Sequence, residues 1–173
     1  KIIDYVGGQR DLKARLIRAI GDAERRFEED KLRLLRAVRF ACRFNFTIED
    51  QTWQAISQHA AELRQVSIER ITAEFNLMLT GVARGRAMRL LLESGLLELA
   101  LPELSHLPAE RIAQAFGVLD LADQDRLSLG LAWSILLADL GKVSGAVLRR
   151  LKQPNALIDE VTWVTNNLDF DLT

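Results

Sequence analysis

Residues 26–41 read RFEEDKLRLLRAVRFA and belong to the strongest helical pattern of the chain. When it is placed on a helical wheel at about 100° per residue, one side is apolar. That side holds Leu34, Leu35, Val38, Ala41 and Cys42. The other side carries Arg33, Arg36, Arg39 and Arg43 within about 120° of one another. The pattern predicts an amphipathic helix over about residues 28–44, ended by Asn45, with one buried face and one arginine face.

Helical spacing continues on both sides of this stretch. Start and stop signals separate the segments: Gly21, Thr47 with Asp50, Ser67, Gly81, Pro102, Pro108, Gly141 and Pro154. On the N-terminal side, apolar residues recur at helical spacing from Leu12 to Ile20, and on the C-terminal side helices continue to about residue 168. Trp53, Trp133 and Trp163 lie in apolar helical patterns that predict core positions. The expected fold is all-α, an irregular multi-helix array, with a remnant strand or turn at the N-terminus at most.

Composition excludes several classes of protein. The chain has 173 residues with 49% apolar and 27% charged residues, which is typical of one globular domain or two small helical ones. Its single cysteine, Cys42, excludes an intramolecular disulfide and a cysteine-based zinc cluster. The longest strongly apolar run, residues 129–140, is shorter than the ~18 residues of a membrane span and contains Ser134 and Asp139. We therefore expect no membrane partner.

Charge is unevenly distributed. The net charge is −1, but residues 1–46 hold 12 Lys and Arg against 7 Asp and Glu, and 18 of the 23 basic residues are arginines. Four arginines on one helical stripe repel one another unless carboxylates or a bound anion lie opposite. Asp30, three residues before Arg33, adds acceptors beside these donors, a combination that suits the edge of a flat heterocycle. A solvated face with local ion pairs explains the same pattern.

Four stretches together resemble one known family. They are residues 3–8 (IDYVGG) with Asp11 and Leu12, residues 26–41, residues 67–74 (SIERITAE), and residues 87–104 with the ending LPEL. In this order they are similar to motifs of the bacterial class II tRNA nucleotidyltransferase (CCA-adding enzyme) and poly(A) polymerase family. The Glu-Asp-x-x-Arg core alone would be weak evidence, and the ordered set is specific.

The resemblance implies a modular enzyme of which this chain is a part. Residues 1–21 would end the catalytic head, residues 22–81 would form a nucleotide-reading neck, and residues 82–173 would form an RNA-binding body. The first residue is Lys1, and the head motifs with the Mg²⁺ ligands are absent from the chain. We therefore expect no catalytic residue and no bound metal in this fragment, which would be inactive alone. The resemblance implies that the partners are ATP, CTP and the 3′ end of tRNA or another RNA, and that DNA is not a partner. It also implies a cytoplasmic location.

The resemblance also implies roles for individual residues. Asp30 and Arg33 would read the Watson–Crick edge of the incoming base in place of a nucleic-acid template. Arg36 and Arg39 would contact the phosphate or sugar of that nucleotide. Arg70 and Glu74, one helical turn apart, would hold the reading pair rigidly, although an ordinary ion pair within one helix gives the same spacing.

Alternatives to CCA addition remain open. Poly(A) synthesis, addition of only A or only C, and a non-catalytic helical RNA-binding or interaction module fit the same sequence. Residues 138–142 (ADLGK) lie where some family members carry a metal site that begins with His-Asp. Because Ala138 replaces that histidine, we expect no metal at Asp139.

Overall fold

The fold was described from a computed structural model, which describes residues 3–123 and 127–167. The predicted head and body segments include Lys1, Ile2 and residues 124–126 and 168–173, which lie outside the described residues. Within the described part the chain is helical, and the all-α prediction is confirmed. The helices are α1 (Gly8–Ala14), α2 (Ala23–Glu29), α3 (Arg33–Phe44), α4 (Asp50–His59), α5 (Ile68–Leu79), α6 (Arg84–Glu93), α7 (Leu96–Ala100), α8 (Ala109–Leu121), α9 (Leu129–Leu137), α10 (Ser144–Arg150) and α11 (Asn155–Asn167). Shorter 3₁₀ segments cover Ala60–Gln65, Pro102–His106 and Ala138–Val143.

Helix α3 is the central element of the N-terminal half. Its predicted apolar face is fully buried, with Leu34, Leu35, Val38 and Ala41 at 0% exposure. It packs against α5 and α6, while α2 packs against α4. Asn45 ends α3 in the left-handed conformation (φ 52°), and its N–H donates to the carbonyls of Ala41 and Cys42. The predicted C-terminal stop of this helix is confirmed.

Two short strands replace part of a predicted helix. The sequence predicts helix from Leu12 to Ile20, but α1 ends at Ala14 and β1 (Leu16–Ile17) follows. This strand pairs in parallel with β2 (Thr47–Ile48), so that Leu16 lies opposite Thr47. The helical prediction for residues 15–20 is wrong because pairing with a distant segment outweighs a short local pattern. For the same reason Thr47 does not cap α4, whose N-cap is Glu49.

The tryptophans divide between core and surface. Trp133 on α9 is fully buried, stacks on Phe75 with ring centroids 6.3 Å apart, and donates its Nε1–H to Asn76 Oδ1 at 2.9 Å. Trp53 is partly buried against the core. Trp163 is 68% exposed on α11, so its predicted core position is wrong. Its helical pattern marks one face of α11 as apolar, but no described element covers that residue.

By length and composition alone, the segment Leu129–Arg150 is long and apolar enough to cross a membrane. The apolar run 129–140 alone, which contains Ser134 and Asp139, is too short to span a membrane. In the structure it comprises α9, a 3₁₀ segment and α10, with non-helical backbone at Gly141 (φ 47°, ψ −121°). Half of its most apolar window is buried inside the protein, and α9 packs against α5, α8 and α11. These contacts are those of core helices.

Two glycines provide a matched test of helix packing. A Cβ at Gly85 on α6 would lie 2.2 Å from the Phe116 carbonyl oxygen on α8, whereas a Cβ at Gly117 on α8 would meet nothing within 4 Å. We expect Gly85→Ala to lower the free energy of unfolding by about 1–3 kcal/mol, since α6 and α8 must move apart. Gly117→Ala should raise it by up to about 1 kcal/mol through helix propensity.

Denaturant unfolding of both variants checks this prediction. Equal effects of the two substitutions would contradict the close approach of α6 and α8.

Candidate functional site

Asp30 lies at an elbow between two helices. Helix α2 ends at Glu29, Asp30 has extended backbone (φ −150°, ψ 101°), and α3 begins at Arg33. The Asp30 carboxylate accepts a hydrogen bond from the Leu32 N–H at 3.2 Å. The backbone carbonyl of Asp30 accepts one from the Arg33 N–H at 3.0 Å. The sequence predicts one helix from residue 28 to 44, so this break is a correction. It places the Asp30 side chain at the surface junction of α2, α3 and α5.

The Asp30 carboxylate is held by arginines from two helices. Arg70 on α5 donates to Oδ1 at 3.1 Å, and Arg36 Nη1 lies 3.6 Å from Oδ2. The predicted support by Arg70 therefore has a direct contact in the structure. Because both oxygens have cationic neighbours, the carboxylate has a fixed orientation beside the arginine stripe.

Glu74 is a buried carboxylate one turn after Arg70 on α5. It is 5% exposed and accepts Arg36 Nε at 3.1 Å and Arg39 Nε at 2.5 Å. Arg39 also lies over the Phe40 ring, 4.3 Å from its centroid. Arg70 and Glu74 thus bond across to the α2–α3 region instead of forming an ion pair with each other. Glu74 fixes Arg36 and Arg39 and does not contact Arg33.

Arg33 lies apart from this network. Its Nη1 donates to Glu29 Oε2 at 2.8 Å and to the Arg26 carbonyl at 2.9 Å. Arg26 Nη1 also donates to Glu29 Oε2 at 3.0 Å. The hydrogen bonds that Glu29 accepts, first from Arg33 and then from Arg26, hold the pKa of its carboxyl below the usual value. Asp30 and Arg33 therefore have separate side-chain partners, because the elbow removes the helical register that their spacing implied.

An open cleft of about 530 Å³ lies between β1, α2 and α3. Four arginines, two phenylalanines, four aliphatic residues and a threonine line it: Arg18, Arg26, Arg33, Arg36, Phe27, Phe40, Ile17, Ala19, Ile20, Ala37 and Thr52. Such a volume suits a nucleotide-sized ligand, and the combination of guanidinium groups with flat apolar surface suits a base that carries phosphates.

Sequence reasoning missed part of this lining. The sequence predicts Arg18 on a helix, whereas it follows β1 and is held by Asp11 at 3.1 Å. Phe40 has no predicted role of its own in the sequence. The local signal for both was the arginine-rich N-terminal quarter, but the strand pairing that positions Arg18 joins residues about 30 positions apart in the sequence.

Asp139 has a guanidinium partner. Arg111 Nε lies 3.1 Å from each Asp139 oxygen, and Arg111 Nη2 donates to Oδ1 at 2.5 Å. This bidentate pair joins α8 to the 3₁₀ segment before α10. Across residues 3–123 and 127–167, no group of three or more His, Cys, Asp or Glu side chains is arranged to hold a metal ion. The described residues therefore do not fit a Mg²⁺ site.

Comparisons with known proteins identify relatives of this chain. Residues 45–108 match the family PolyA_pol_RNAbd, described as a "Probable RNA and SrmB-binding site of polymerase A". A CCA-adding enzyme of Geobacillus sp. (strain WCH70) is 42% identical over 162 residues, covering 93% of this chain and 39% of that protein. The chain spans about two fifths of the curated relatives that it matches.

Solved structures agree with the fold. The crystal structure of the Bacillus stearothermophilus CCA-adding enzyme in complex with CTP superposes with a TM-score of 0.78 at 37% identity, covering 92% of this chain and 39% of that one. The Thermotoga maritima CCA-adding enzyme complexed with tRNA_CCA gives 0.70 at 26% identity, covering 92% and 40%. The resemblance predicted from the sequence is confirmed.

Removing the charge of Glu74 tests the network. In Glu74→Gln, the half-exposed Arg36 can turn to solvent, but Arg39, 12% exposed, loses its carboxylate. We expect a loss of about 3 kcal/mol in the free energy of unfolding, the lower end for breaking a buried ion pair. Glu93→Gln, on the exposed face of α6, is the control and should stay within about 0.5 kcal/mol. Equal melting curves for the two variants would contradict a structural role for Glu74.

Proposed function

We propose that this chain is the nucleotide- and RNA-binding part of a nucleotidyltransferase. Its similarity to CCA-adding enzymes, over about two fifths of their length, supports this proposal. The complete enzyme would add CCA, or A and C residues, to tRNA 3′ ends in the bacterial cytoplasm. The observation that carries the proposal is the cleft lined by Arg33 and Arg36, because it combines base-sized apolar surface with four guanidinium groups. The complexes of relatives with CTP and with tRNA support the choice of ligands.

The proposed mechanism is selection of the incoming base by protein side chains. Asp30 offers acceptors and Arg33 offers donors, so that together they could complement the Watson–Crick edges of cytosine and adenine. Arg36 and Arg39, fixed by Glu74, would hold the sugar or phosphates. Reading by both members of the pair requires Arg33 to release Glu29, an exposed contact that costs little to break. The described residues do not fit a Mg²⁺ ion, and the metal ligands of the complete enzyme would lie in its catalytic head.

We assign residues 1–21, 22–81 and 82–173 to the end of the head, the neck and the body, respectively. Side chains join the last two segments: Trp133 and Gln153 both donate to Asn76 Oδ1, and Thr72 donates to the Leu151 carbonyl at 2.8 Å. These bonds support a body that holds RNA at a fixed distance from the nucleotide cleft.

Poly(A) synthesis is a second candidate function. The match of residues 45–108 to a segment described for polymerase A favours it. A poly(A) polymerase would select ATP over CTP, whereas a CCA-adding enzyme would accept both. Equilibrium binding of the four nucleotides to this chain therefore distinguishes the two candidates.

Substitution of Arg33 tests the reading pair. We expect Arg33→Ala to lose about ten- to a hundredfold in the preference for CTP and ATP over GTP and UTP, as for other bidentate base contacts. The unfolding free energy should change by no more than about 0.5 kcal/mol, since Arg33 is on the polar face. Asp30→Ala should lower the nucleotide preference to a similar extent, and the two substitutions should be non-additive in that preference. Calorimetric titration with each nucleotide, beside a melting curve, is the measurement.

Val38→Ala, on the buried face of α3, is the opposite control and should lower stability without changing the nucleotide preference. If Arg33→Ala melts far below the parent protein while its preference stays intact, the arginine stripe is structural and the reading assignment is wrong.

The chain alone should not transfer nucleotides. Two-metal phosphoryl transfer needs clustered carboxylates, and the part of the chain that the structure describes holds no such cluster. Incubation with labelled ATP and CTP, Mg²⁺ and a trimmed tRNA should give no incorporation above background. Incorporation by a preparation free of host enzyme would place the catalytic site within this chain.

A further inference from the structure

Three phenylalanines form a row at the C-terminal end of α3, with Phe46 two residues beyond the helix. The rings of Phe40 and Phe44 stack with centroids 6.0 Å apart, and those of Phe44 and Phe46 follow at 5.9 Å. Phe40 also lines the cleft beside Asp30. The row therefore leads from the candidate nucleotide site onto the open surface, where Phe44 is 51% exposed.

The end of the row is held in place by the fold. The Phe46 N–H donates to the Ala41 carbonyl at 2.8 Å, and Arg86 on α6 donates to the Phe46 carbonyl at 2.7 Å and to Asn45 Oδ1 at 3.2 Å. A flat partner would thus meet aromatic rings whose backbone is already ordered, which reduces the entropic cost of binding.

The charge beside the row is positive. Helix α3 contains no Asp or Glu. The Arg43 guanidinium lies 5.7 Å from the Phe44 ring centroid, and within the described residues no carboxylate pairs with Arg43. The half-exposed Phe44 ring beside the Arg43 guanidinium complements a partner with flat rings and a polyanionic backbone, which describes single-stranded nucleic acid.

We propose that the Phe40–Phe44–Phe46 row binds the unpaired 3′-terminal nucleotides of an RNA. Phe44 stacks on a base, and Arg43 neutralises an adjacent phosphate. The choice of RNA rests on the proposed function, whereas the surface is separate from the Asp30 and Arg33 reading pair. The row would hold the end of the RNA beside the nucleotide in the cleft, because its first ring belongs to both.

The test uses this chain and a short single-stranded RNA with 2-aminopurine as its 3′-terminal base. Stacking quenches 2-aminopurine fluorescence, and titration gives the dissociation constant. Phe44→Ala and Phe44→Leu should each weaken binding by about five- to a hundredfold, as expected for loss of one stacked base. Phe44→Trp should retain it. Arg43→Ala should reduce the slope of log K against log salt by about one.

Matched measurements decide the outcome. Leu92→Ala removes an exposed apolar side chain on α6 and should leave RNA affinity unchanged. Arg33→Ala should alter nucleotide preference but not quenching, so that this proposal and the proposed function can fail separately. Absence of RNA binding, or equal affinities for Phe44→Ala and Leu92→Ala, would overturn the proposal. So would a halved particle mass for Phe44→Ala in light scattering without a change in RNA affinity, which would assign the row to self-association.

Discussion

The arginine stripe of α3 is arranged around one buried carboxylate. Glu74 accepts hydrogen bonds from Nε of both Arg36 and Arg39. Without this carboxylate, the two guanidinium groups would repel each other along α3. Burial of an ion pair contributes little net stability, since desolvation offsets most of the attraction. Its effect here is positional, because Glu74 fixes Arg36 and Arg39 against α5. The elbow at Asp30 separately gives Arg33 its partners on α2.

The sequence predicted the main helices because their information is local. The apolar face of α3, its end at Asn45 and the breaks near Gly81, Gly141 and Pro154 follow from periodicity and turn residues. The errors concern short segments that distant partners decide. Residues 15–20 carry a helical pattern but pair with β2, and the Glu-Glu-Asp-Lys run, composed largely of good helix formers, breaks at Asp30. A wheel drawn through residues 28–44 cannot show that break, because Arg70, 40 positions away, bonds the carboxylate.

The candidate site was predictable in its members but not in its pairings. Asp30, Arg36, Arg70 and Glu74 form one connected network, whereas Arg33 is bonded elsewhere. Family resemblance supplied the two α5 residues, which no local pattern singles out from an ordinary pair at helical spacing. Arg18 and Phe40 line the cleft because of the β1–β2 pairing and the elbow at Asp30, which the local sequence pattern does not predict. Spacing identifies which residues share a helix face, and the tertiary fold decides which neighbours they bond.

The network also connects the cleft with the C-terminal helices. Helix α5 presents Arg70 and Glu74 to α3 on one side and Asn76 to Trp133 and Gln153 on another. Its position is thus fixed by polar contacts at both faces, in addition to the buried Phe75–Trp133 stack. A shift of α5 toward the C-terminal helices would lengthen the bonds that hold Asp30, Arg36 and Arg39. The packing of α5 against the C-terminal helices therefore also determines the positions of Arg36 and Arg39 along α3.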